Sequence, residues 1–309
     1  MRTVFLGTSE FAAALLTRLV GERGQPDSYA PTLVLTRPDR PAGRGRKLAS
    51  PPVADTARAL GLELAQPESV NEPAVRELIA DLAPDVLLVC AFGALVKEPL
   101  LSDYEMLNVH PSLLPRWRGA APIERAIMAG DERTGVSIMR LTAGLDSGPV
   151  CLSANEPIHA DDTFASLAGR LEHAGGELLL SALAALDRGE ALTFAEQDER
   201  TVTYAEKIGP ADRLLDPSHP AVELERVVRA LSPHIGARVE LSDGSLLGVQ
   251  RAAVARPPAA HAGAGVHTHD GRLLLGCVEG QLELLEVQPP GKRPMAAEAF
   301  LRGHGLPSL

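Results

Sequence analysis

Short apolar runs alternate with amphipathic stretches along the first part of the chain. A continuous apolar run is typical of a strand buried on both faces of a parallel sheet, and apolar positions three or four residues apart are typical of a helix. The predicted strands span residues 3–6, 32–36, 85–93, 106–109, 134–141 and 150–158. The predicted helices span residues 10–20, 53–60, 72–82, 122–128 and 163–186. This alternation predicts an α/β domain with a Rossmann-like, mostly parallel sheet.

The pattern changes beyond residue 209, where a short helix at 221–231 precedes several β-like runs. These runs span residues 237–241, 246–253, 272–278 and 281–287. Short strands with frequent glycine and proline turns predict a small β-barrel, OB-like in type. Residues 187–208 lack strong periodicity. We therefore predict an α/β domain over 1–188, a linker over 189–208 and a smaller β-barrel domain over 209–309, which a chain of 309 residues can accommodate.

The composition is that of an ordinary globular protein, with 45% hydrophobic and 23% charged residues. The formal net charge of −10 argues against a generally basic nucleic-acid surface. Cys90, Cys151 and Cys277 are widely separated and odd in number, so we expect free thiols rather than a disulfide framework or a metal cluster. No apolar run is long enough for a signal peptide or a membrane span, and we expect a cytoplasmic protein.

The turn after the first strand carries a single glycine, Gly7, before the helix that Ser9 is expected to cap. Dinucleotide-binding folds share this opening, but the GxGxxG fingerprint is absent and no acidic residue clearly ends the second strand. The sequence therefore argues against a nicotinamide cofactor.

The strongest candidate site is the segment 108–122, which reads NVHPSLLPRWRGAAP. Asn108 and His110 lie two residues apart at a strand end, so their side chains project to the same side. Open α/β sheets bind ligands at this edge. A lone histidine is more often a satisfied buried side chain, but the rigid and polar run that follows favours a site.

Asp146 lies in the glycine-flanked turn TAGLDSGP, residues 142–149. An aspartate in such a turn is usually a turn former that bonds its own backbone. Alternatively, an amide, an imidazole and a carboxylate form a minimal set for acyl transfer to an amine: the amide stabilises an oxyanion, the histidine moves a proton, and the carboxylate orients the histidine. Ser112 lacks the sequence around a nucleophile elbow. These residues alone indicate an α/β enzyme with an acyl- or group-transfer site.

Five cations and one acid lie between residues 37 and 47, where prolines and glycines predict irregular structure. Such a run is most often a solvated loop. Here the cations are mostly arginine within an acidic domain, and arginine suits phosphate, so we favour a loop that contacts a polyanion. The turn at 288–294 adds Lys292 and Arg293.

Five stretches together resemble a known family over essentially the whole chain: FLGTSEFA at 5–12, RPDRPAGRG at 37–45, the 108–122 segment, GLDSG at 144–148 and VTYAEK at 202–207. The chain resembles the folate-dependent formyltransferases. Asn108, His110, SLLP at 112–115 and Asp146 are shared by that family generally. The arginine-rich and VTYAEK stretches resemble more narrowly its members that act on methionyl-tRNA.

The resemblance implies transfer of a formyl group from 10-formyltetrahydrofolate to the α-amine of methionyl initiator tRNA, for translation initiation. It implies no metal, no membrane and, we expect, a monomer. The implied catalytic residues are Asn108, His110 and Asp146, and the implied folate contacts are Ser112, Leu113, Leu114 and Pro115. The residues expected to bind tRNA are Arg40, Arg44, Arg46, Lys47, Lys292 and Arg293.

One stretch departs from the family, since residues 231–238 replace a segment that usually carries tryptophan. Residues 209–309 also hold 10 Lys/Arg against 11 Asp/Glu, so this part of the chain is not strongly basic.

Two alternative functions stay open. A formyltransferase for glycinamide ribonucleotide or an amino sugar would share the catalytic residues, although the glycinamide enzyme would not need the C-terminal part or the arginine-rich segment. A non-catalytic RNA-binding protein is disfavoured by the intact catalytic set.

Overall fold

The computed structural model describes residues 1–21, 29–42, 47–255 and 265–303. Within these residues the chain forms two compact units. The first unit comprises Met1–Gly119, Thr134–Glu156 and Ala168–Tyr204. The second unit comprises Ala120–Arg133, Pro157–Leu167 and Ala205–Leu309, within the same described ranges.

The helices and strands follow the predicted pattern closely. The helices are α1 (Glu10–Val20), α2 (Pro52–Leu60), α3 (Pro73–Leu82), α4 (Leu100–Asp103), α5 (Pro122–Ala129), α6 (Phe164–Asp187), α7 (Ala221–Leu231) and α8 (Ala297–Leu301). The strands up to residue 205 are β1 (Thr3–Gly7), β2 (Leu33–Leu35), β3 (Arg40–Ala42), β4 (Lys47–Ala49), β5 (Leu64–Ala65), β6 (Val86–Cys90), β7 (Met106–His110), β8 (Arg118–Gly119), β9 (Arg133–Arg140), β10 (Val150–Pro157) and β11 (Tyr204–Ala205). The later strands are β12 (Ala237–Glu240), β13 (Leu246–Val254), β14 (Gly265–His269), β15 (Arg272–Gly276), β16 (Gln281–Gln288) and β17 (Met295–Ala296).

A seven-stranded sheet forms the first unit, in the order β10-β9-β7-β6-β1-β2-β5. The five strands from β7 to β5 are parallel to one another. Strand β9 runs antiparallel to β7. Strands β1, β6 and β7 are buried at every position, as their continuous apolar runs predict. The prediction of a mostly parallel α/β sheet is confirmed.

Helix α6 packs closely on this sheet. The sequence predicts a weak point at Gly175 and Gly176, but the helix runs unbroken from Phe164 to Asp187. A Cβ atom on Gly175 would lie 3.2 Å from Cγ1 of Val109 and 3.3 Å from Cγ1 of Val136. The missing side chain therefore brings the helix closer to the sheet instead of breaking it.

The prediction of irregular structure in the arginine-rich segment is wrong at its two ends. Strands β3 and β4 pair antiparallel, with Pro41 opposite Leu48. Because the ribbon has only two strands, each strand has a free edge, and a proline without an N–H group is tolerated there. Arg44 and Arg46, between the two strands, lie outside the described residues, as does the side chain of Lys47.

An antiparallel sheet forms the core of the second unit, in the order β12-β13-β16-β15-β14, with β17 added beside β16. The terminal strands β12 and β14 approach each other, so the sheet curls into a partial barrel. Helix α7 buries Leu224, Val228 and Leu231 in the same core as Val249. This confirms the predicted smaller β domain. The elements that were not predicted are the short strands β5, β8, β11 and β17, strand β14 and the short helices α4 and α8.

His234 lies in the stretch 231–238, and its ring packs against two residues of the second unit. The ring stacks on Phe164 with 3.7 Å between centroids. Its Nε2 atom lies 3.0 Å from Oε1 of the buried Glu124. The His234 ring is therefore held between an aromatic ring and a buried carboxylate. Within the described ranges, no helix is long and apolar enough to cross a membrane.

Candidate active site

The carboxyl end of β7 presents the predicted amide and imidazole. Asn108 pairs with Val89 on one side and Met139 on the other, and His110 pairs with Ser137. Both side chains are nearly buried, with 7% and 5% exposure. Because they are two residues apart on a strand, they face the same side of the sheet. Strand order thus places both groups at the edge predicted from the sequence.

The ring of His110 is held between a carbonyl and a carboxylate. Its Nε2 atom lies 2.8 Å from the carbonyl oxygen of Trp117, and its Nδ1 atom lies 3.7 Å from Oδ2 of Asp146. A carbonyl oxygen only accepts, so Nε2 carries the proton in this contact. The 3.7 Å separation is longer than a hydrogen bond, and the two groups attract each other when both ring nitrogens carry a proton. Nδ1 is therefore the ring atom that faces the carboxylate.

The Asp146 carboxylate is anchored by a distant part of the chain. Its Oδ2 atom accepts a hydrogen bond of 2.8 Å from the backbone N–H of Gly119. A pure turn former would instead bond the backbone of its own turn. The contacts of this carboxylate therefore favour the catalytic interpretation over the turn-former alternative.

Two non-glycine residues of the site have left-handed backbone conformations. Asp146 has φ of 45° and Trp117 has φ of 64°. Side chains with a Cβ atom rarely adopt this region, and such residues cluster at functional sites. At Trp117 this conformation accompanies the carbonyl contact to His110, and its N–H donates to Oγ1 of Thr203 at 2.9 Å.

The segment 112–115 begins with a serine whose hydroxyl is already used. Ser112 is fully buried, and its Oγ donates to the carbonyl oxygen of Arg116 at 2.6 Å. Its own carbonyl accepts from Oγ of Ser137 at 2.8 Å. This argues against Ser112 as a nucleophile and gives it a role in shaping the segment. Leu113, Leu114 and Pro115 are half-buried and offer apolar surface.

The predicted tRNA-binding cations are distributed over both units. Arg40 lies in β3 with Nη2 3.1 Å from Oε2 of Glu68, and both side chains are mostly exposed. An exposed ion pair of this kind contributes little to stability, so the guanidinium can exchange its partner. Lys292 and Arg293 are exposed in the turn after β16, within the second unit.

A cavity of about 420 Å³ opens beside Arg40 at the carboxyl ends of β1 and β6. This is the sheet edge at which α/β folds bind ligands. Its lining residues are Thr8, Ser9, Arg37, Pro38, Arg40, Pro41, Ala49, Ser50, Pro51, Ala91, Phe92 and Gly93.

Three polar residues near Asp146 were missed by the sequence reasoning. Arg118 is 3% exposed and its Nε donates to Oε1 of Gln197 at 3.0 Å. Its Nη2 donates to Oε1 of Glu199 at 2.7 Å, which lowers the pKa of the Glu199 carboxyl. Gln197 in turn donates to two carbonyls of the Asp146 turn. Arg118 stood inside the predicted motif, but residues 197 and 199 lie in a stretch without periodicity that offered no signal.

Solved structures with a similar fold include an N-formyltransferase and about half of a longer chain, HypX. The N-formyltransferase from Helicobacter canadensis, solved with folinic acid and dTDP-3-aminofucose, has a TM-score of 0.65 at 13% identity and covers 92% of this chain and 98% of its own. HypX from Aquifex aeolicus, solved with tetrahydrofolic acid, has a TM-score of 0.65 at 18% identity. That match covers 100% of this chain but only 49% of HypX, so the chain spans about half of its length. At these identities the likeness shows the fold.

Relatives found by sequence comparison share a higher identity with this chain. The methionyl-tRNA formyltransferase of Methylococcus capsulatus is 44% identical over 308 residues, covering 99% of this chain and 98% of the relative. That of Acidithiobacillus ferrooxidans is 44% identical over 305 residues, with 98% and 96% covered. The family model described as formyl transferase matches residues 1–183, and the model described as formyl transferase, C-terminal domain, matches residues 207–305. The resemblance inferred from the sequence motifs is confirmed: the chain belongs to the formyl transferase family.

Proposed function

We propose that the chain transfers a formyl group from 10-formyltetrahydrofolate to the α-amine of methionyl initiator tRNA, for translation initiation in the cytoplasm. The observation that carries this proposal is the 44% identity to a methionyl-tRNA formyltransferase over 99% of the chain, which includes the second unit as well as the catalytic one. A formyl donor derived from tetrahydrofolate agrees with the family and with a structural neighbour solved with tetrahydrofolic acid.

In the proposed reaction the amine nitrogen attacks the formyl carbon, and the bond from that carbon to the folate nitrogen breaks. The side-chain amide of Asn108 donates to the oxyanion that forms on the formyl oxygen. His110 and Asp146 face each other across 3.7 Å, where the carboxylate stabilises a protonated imidazole. Asp146 also assists removal of the proton that the attacking amine loses, and this proton ends on the folate nitrogen that leaves.

The proposed binding surfaces use the remaining predicted residues. Leu113, Leu114 and Pro115 supply an apolar wall for the folate ring, and Ser112 holds the backbone that carries them. The cations at 40–47 and at 292–293 supply positive charge toward tRNA phosphates in a protein whose net charge is −10. The proposal keeps the predicted boundaries of 1–188 for the catalytic domain, 189–208 for the linker and 209–309 for the tRNA-binding domain, in a monomer.

A product assay tests the substrate assignment directly. Purified protein receives 10-formyltetrahydrofolate together with methionyl-tRNA, glycinamide ribonucleotide or a nucleotide-linked amino sugar, and the formylated product is identified by mass. We expect formyl-methionyl-tRNA alone. Formylation of another amine would reassign the substrate, and the absence of any turnover would favour a non-catalytic RNA-binding protein.

Substitutions test the catalytic roles. Asn108→Ala removes an oxyanion donor, for which losses on the order of 100- to 1000-fold in kcat are typical. Asp146→Ala should lose at least as much, with the far-UV circular dichroism spectrum unchanged. Near-normal turnover by Asp146→Ala would restore the turn-former interpretation.

A further inference from the structure

We propose that Gln197 is a positioning residue for Asp146, holding the backbone of the catalytic turn through both hydrogens of its side-chain amide. This inference rests on the proposed function, since it assigns Gln197 to the same reaction. The catalytic carboxylate is thereby supported by a segment that follows helix α6 and that sequence periodicity assigns no role.

Both N–H hydrogens and the oxygen of the Gln197 side-chain amide take part in hydrogen bonds. Its Nε2 atom donates to the carbonyl oxygen of Asp146 at 2.8 Å and to that of Gly148 at 2.7 Å. Its Oε1 atom accepts from Nε of Arg118 at 3.0 Å. Carbonyl oxygens only accept and a guanidinium only donates, so these partners fix which way the amide points. The amide therefore holds the backbone of Asp146 and Gly148, the residues on either side of Ser147.

Arg118 connects this clamp to the residues that contact the two catalytic side chains. Its guanidinium is nearly buried and also donates to both carboxylate oxygens of Glu199, at 3.3 and 2.7 Å. Along the chain Arg118 stands between Trp117, whose carbonyl contacts His110, and Gly119, whose N–H binds the Asp146 carboxylate. One network thus holds both the backbone of Asp146 and the residues that contact the two catalytic side chains.

Backbone pairing fixes the segment that carries Gln197 to the same unit. Ala195 and Val150 exchange two backbone hydrogen bonds, each of 2.9 Å. The backbone N–H of Arg118 donates to the carbonyl oxygen of Thr203 at 2.9 Å. Residues 195–203 are therefore hydrogen bonded to β10, the strand that follows the Asp146 turn, and to β8. Because the turn itself is rich in glycine, this support adds to the contacts that limit its movement.

The position of the turn matters because Asp146 and His110 are not directly hydrogen bonded. At 3.7 Å, a further displacement weakens the attraction between the carboxylate and the ring. Misplacement of a catalytic group by about 1 Å can reduce turnover by roughly 100-fold. Gln197 touches neither reacting atom, so its effect is expected to pass entirely through Asp146.

Gln197→Glu is the sharpest test, because the side chain keeps its shape and its acceptor for Arg118 but loses both donors. We expect kcat to fall by about 10- to 100-fold while KM for each substrate changes little. Asp198→Asn is the matched control, since Asp198 makes its side-chain contacts with Arg200 on the exposed surface of the same segment. Asp198→Asn should retain wild-type kcat. A kcat for Gln197→Glu equal to that of the control would overturn the inference.

A double-mutant cycle then separates positioning from a general structural effect. In an Asp146→Asn background, Gln197→Glu should cause no further loss of single-turnover rate, because its action passes through the missing carboxylate. Losses that multiply would contradict the inference. Should Gln197→Glu not fold, Gln197→Met takes its place in the same cycle, since methionine has a similar length but carries no N–H donor.

Hydrogen–deuterium exchange provides a readout that does not depend on turnover. Backbone amides of residues 142–148 should exchange faster in Gln197→Glu than in wild type or Asp198→Asn. Unchanged exchange in this turn would refute the positioning role. If the wild-type protein formylates none of the three amines, the proposed function fails, while the exchange result still decides whether Gln197 holds the turn.

Discussion

Gly148→Ala adds one methyl group within the turn that carries Asp146. A Cβ atom on Gly148 would lie 3.0 Å from the carbonyl carbon of Arg140 and 3.1 Å from Cγ2 of Thr142, and closer still to the Arg140 carbonyl oxygen. Since the nearest obstructing atoms belong to the Arg140 backbone in β9, the turn must yield, by on the order of 1 Å. A shift of this size at a catalytic group can cost about 100-fold in rate. Overpacking of this kind also costs about 1–3 kcal/mol of stability.

The assay compares kcat and the free energy of unfolding for Gly148→Ala with those for an alanine substitution at a glycine that has space for a Cβ atom. Gly169, inside α6, has no atom within 4 Å of a built Cβ. Gly169→Ala should keep wild-type kcat and gain up to about 1 kcal/mol, because alanine is the better helix former. If Gly148→Ala retained wild-type kcat with unchanged stability, the link between this close contact and the position of Asp146 would be refuted.

Two further predictions concern charge. Replacing the four predicted tRNA-contacting cations at 40–47 with alanine should raise KM for methionyl-tRNA and flatten its log–log salt dependence by roughly 0.7 to 0.9 per lost phosphate contact, with KM for the folate unchanged; an unchanged slope and KM would remove the segment from the tRNA site. Burial, with a smaller contribution from the Glu10 carboxylate, raises the pKa of Glu172. Its ionised form therefore destabilises the fold, and this cost appears as pH rises from the unfolded-state pKa through the folded-state pKa. Glu172→Gln should consequently exceed wild type in urea midpoint at pH 7.5 and lose that advantage near pH 4, whereas an advantage that is the same at both pH values would contradict the assigned cause.

Locally encoded features were predictable from the sequence. Ser9 caps α1 through its side chain, as its position before Glu10 indicates. Helix α5 begins at Pro122 and ends before Gly130, which has a left-handed backbone. In each case the determining residue lies within one turn of the helix end, so no knowledge of the tertiary fold is needed.

Features that depend on distant parts of the chain were not predictable. The sequence places Asn108 and His110 on one side of a strand, because their spacing is local. It does not show that the carbonyl oxygen of Trp117 forms a hydrogen bond with the His110 ring. Nor does it show that Gln197 forms a hydrogen bond with a turn 51 residues earlier. Hydrogen bonds of this kind leave no periodic pattern. The arginine-rich hairpin was missed for a different reason, since Pro41 reads as a strand breaker unless its strand has a free edge.

The left-handed backbone at Trp117 sets up a conflict between heat resistance and activity. A residue with a Cβ atom in this region costs about 1–2 kcal/mol, whereas glycine adopts it freely. A library selected only for survival at high temperature should therefore enrich Trp117→Gly if relief of this strain exceeds the loss of the ring's contact with the Arg116 guanidinium. The enriched clones should turn over more slowly because a glycine holds the carbonyl opposite His110 less firmly. Selection that also demands formylation should retain a larger residue at this position. Sequencing the survivors of the two regimes would show whether the fold keeps this strain for the sake of its chemistry.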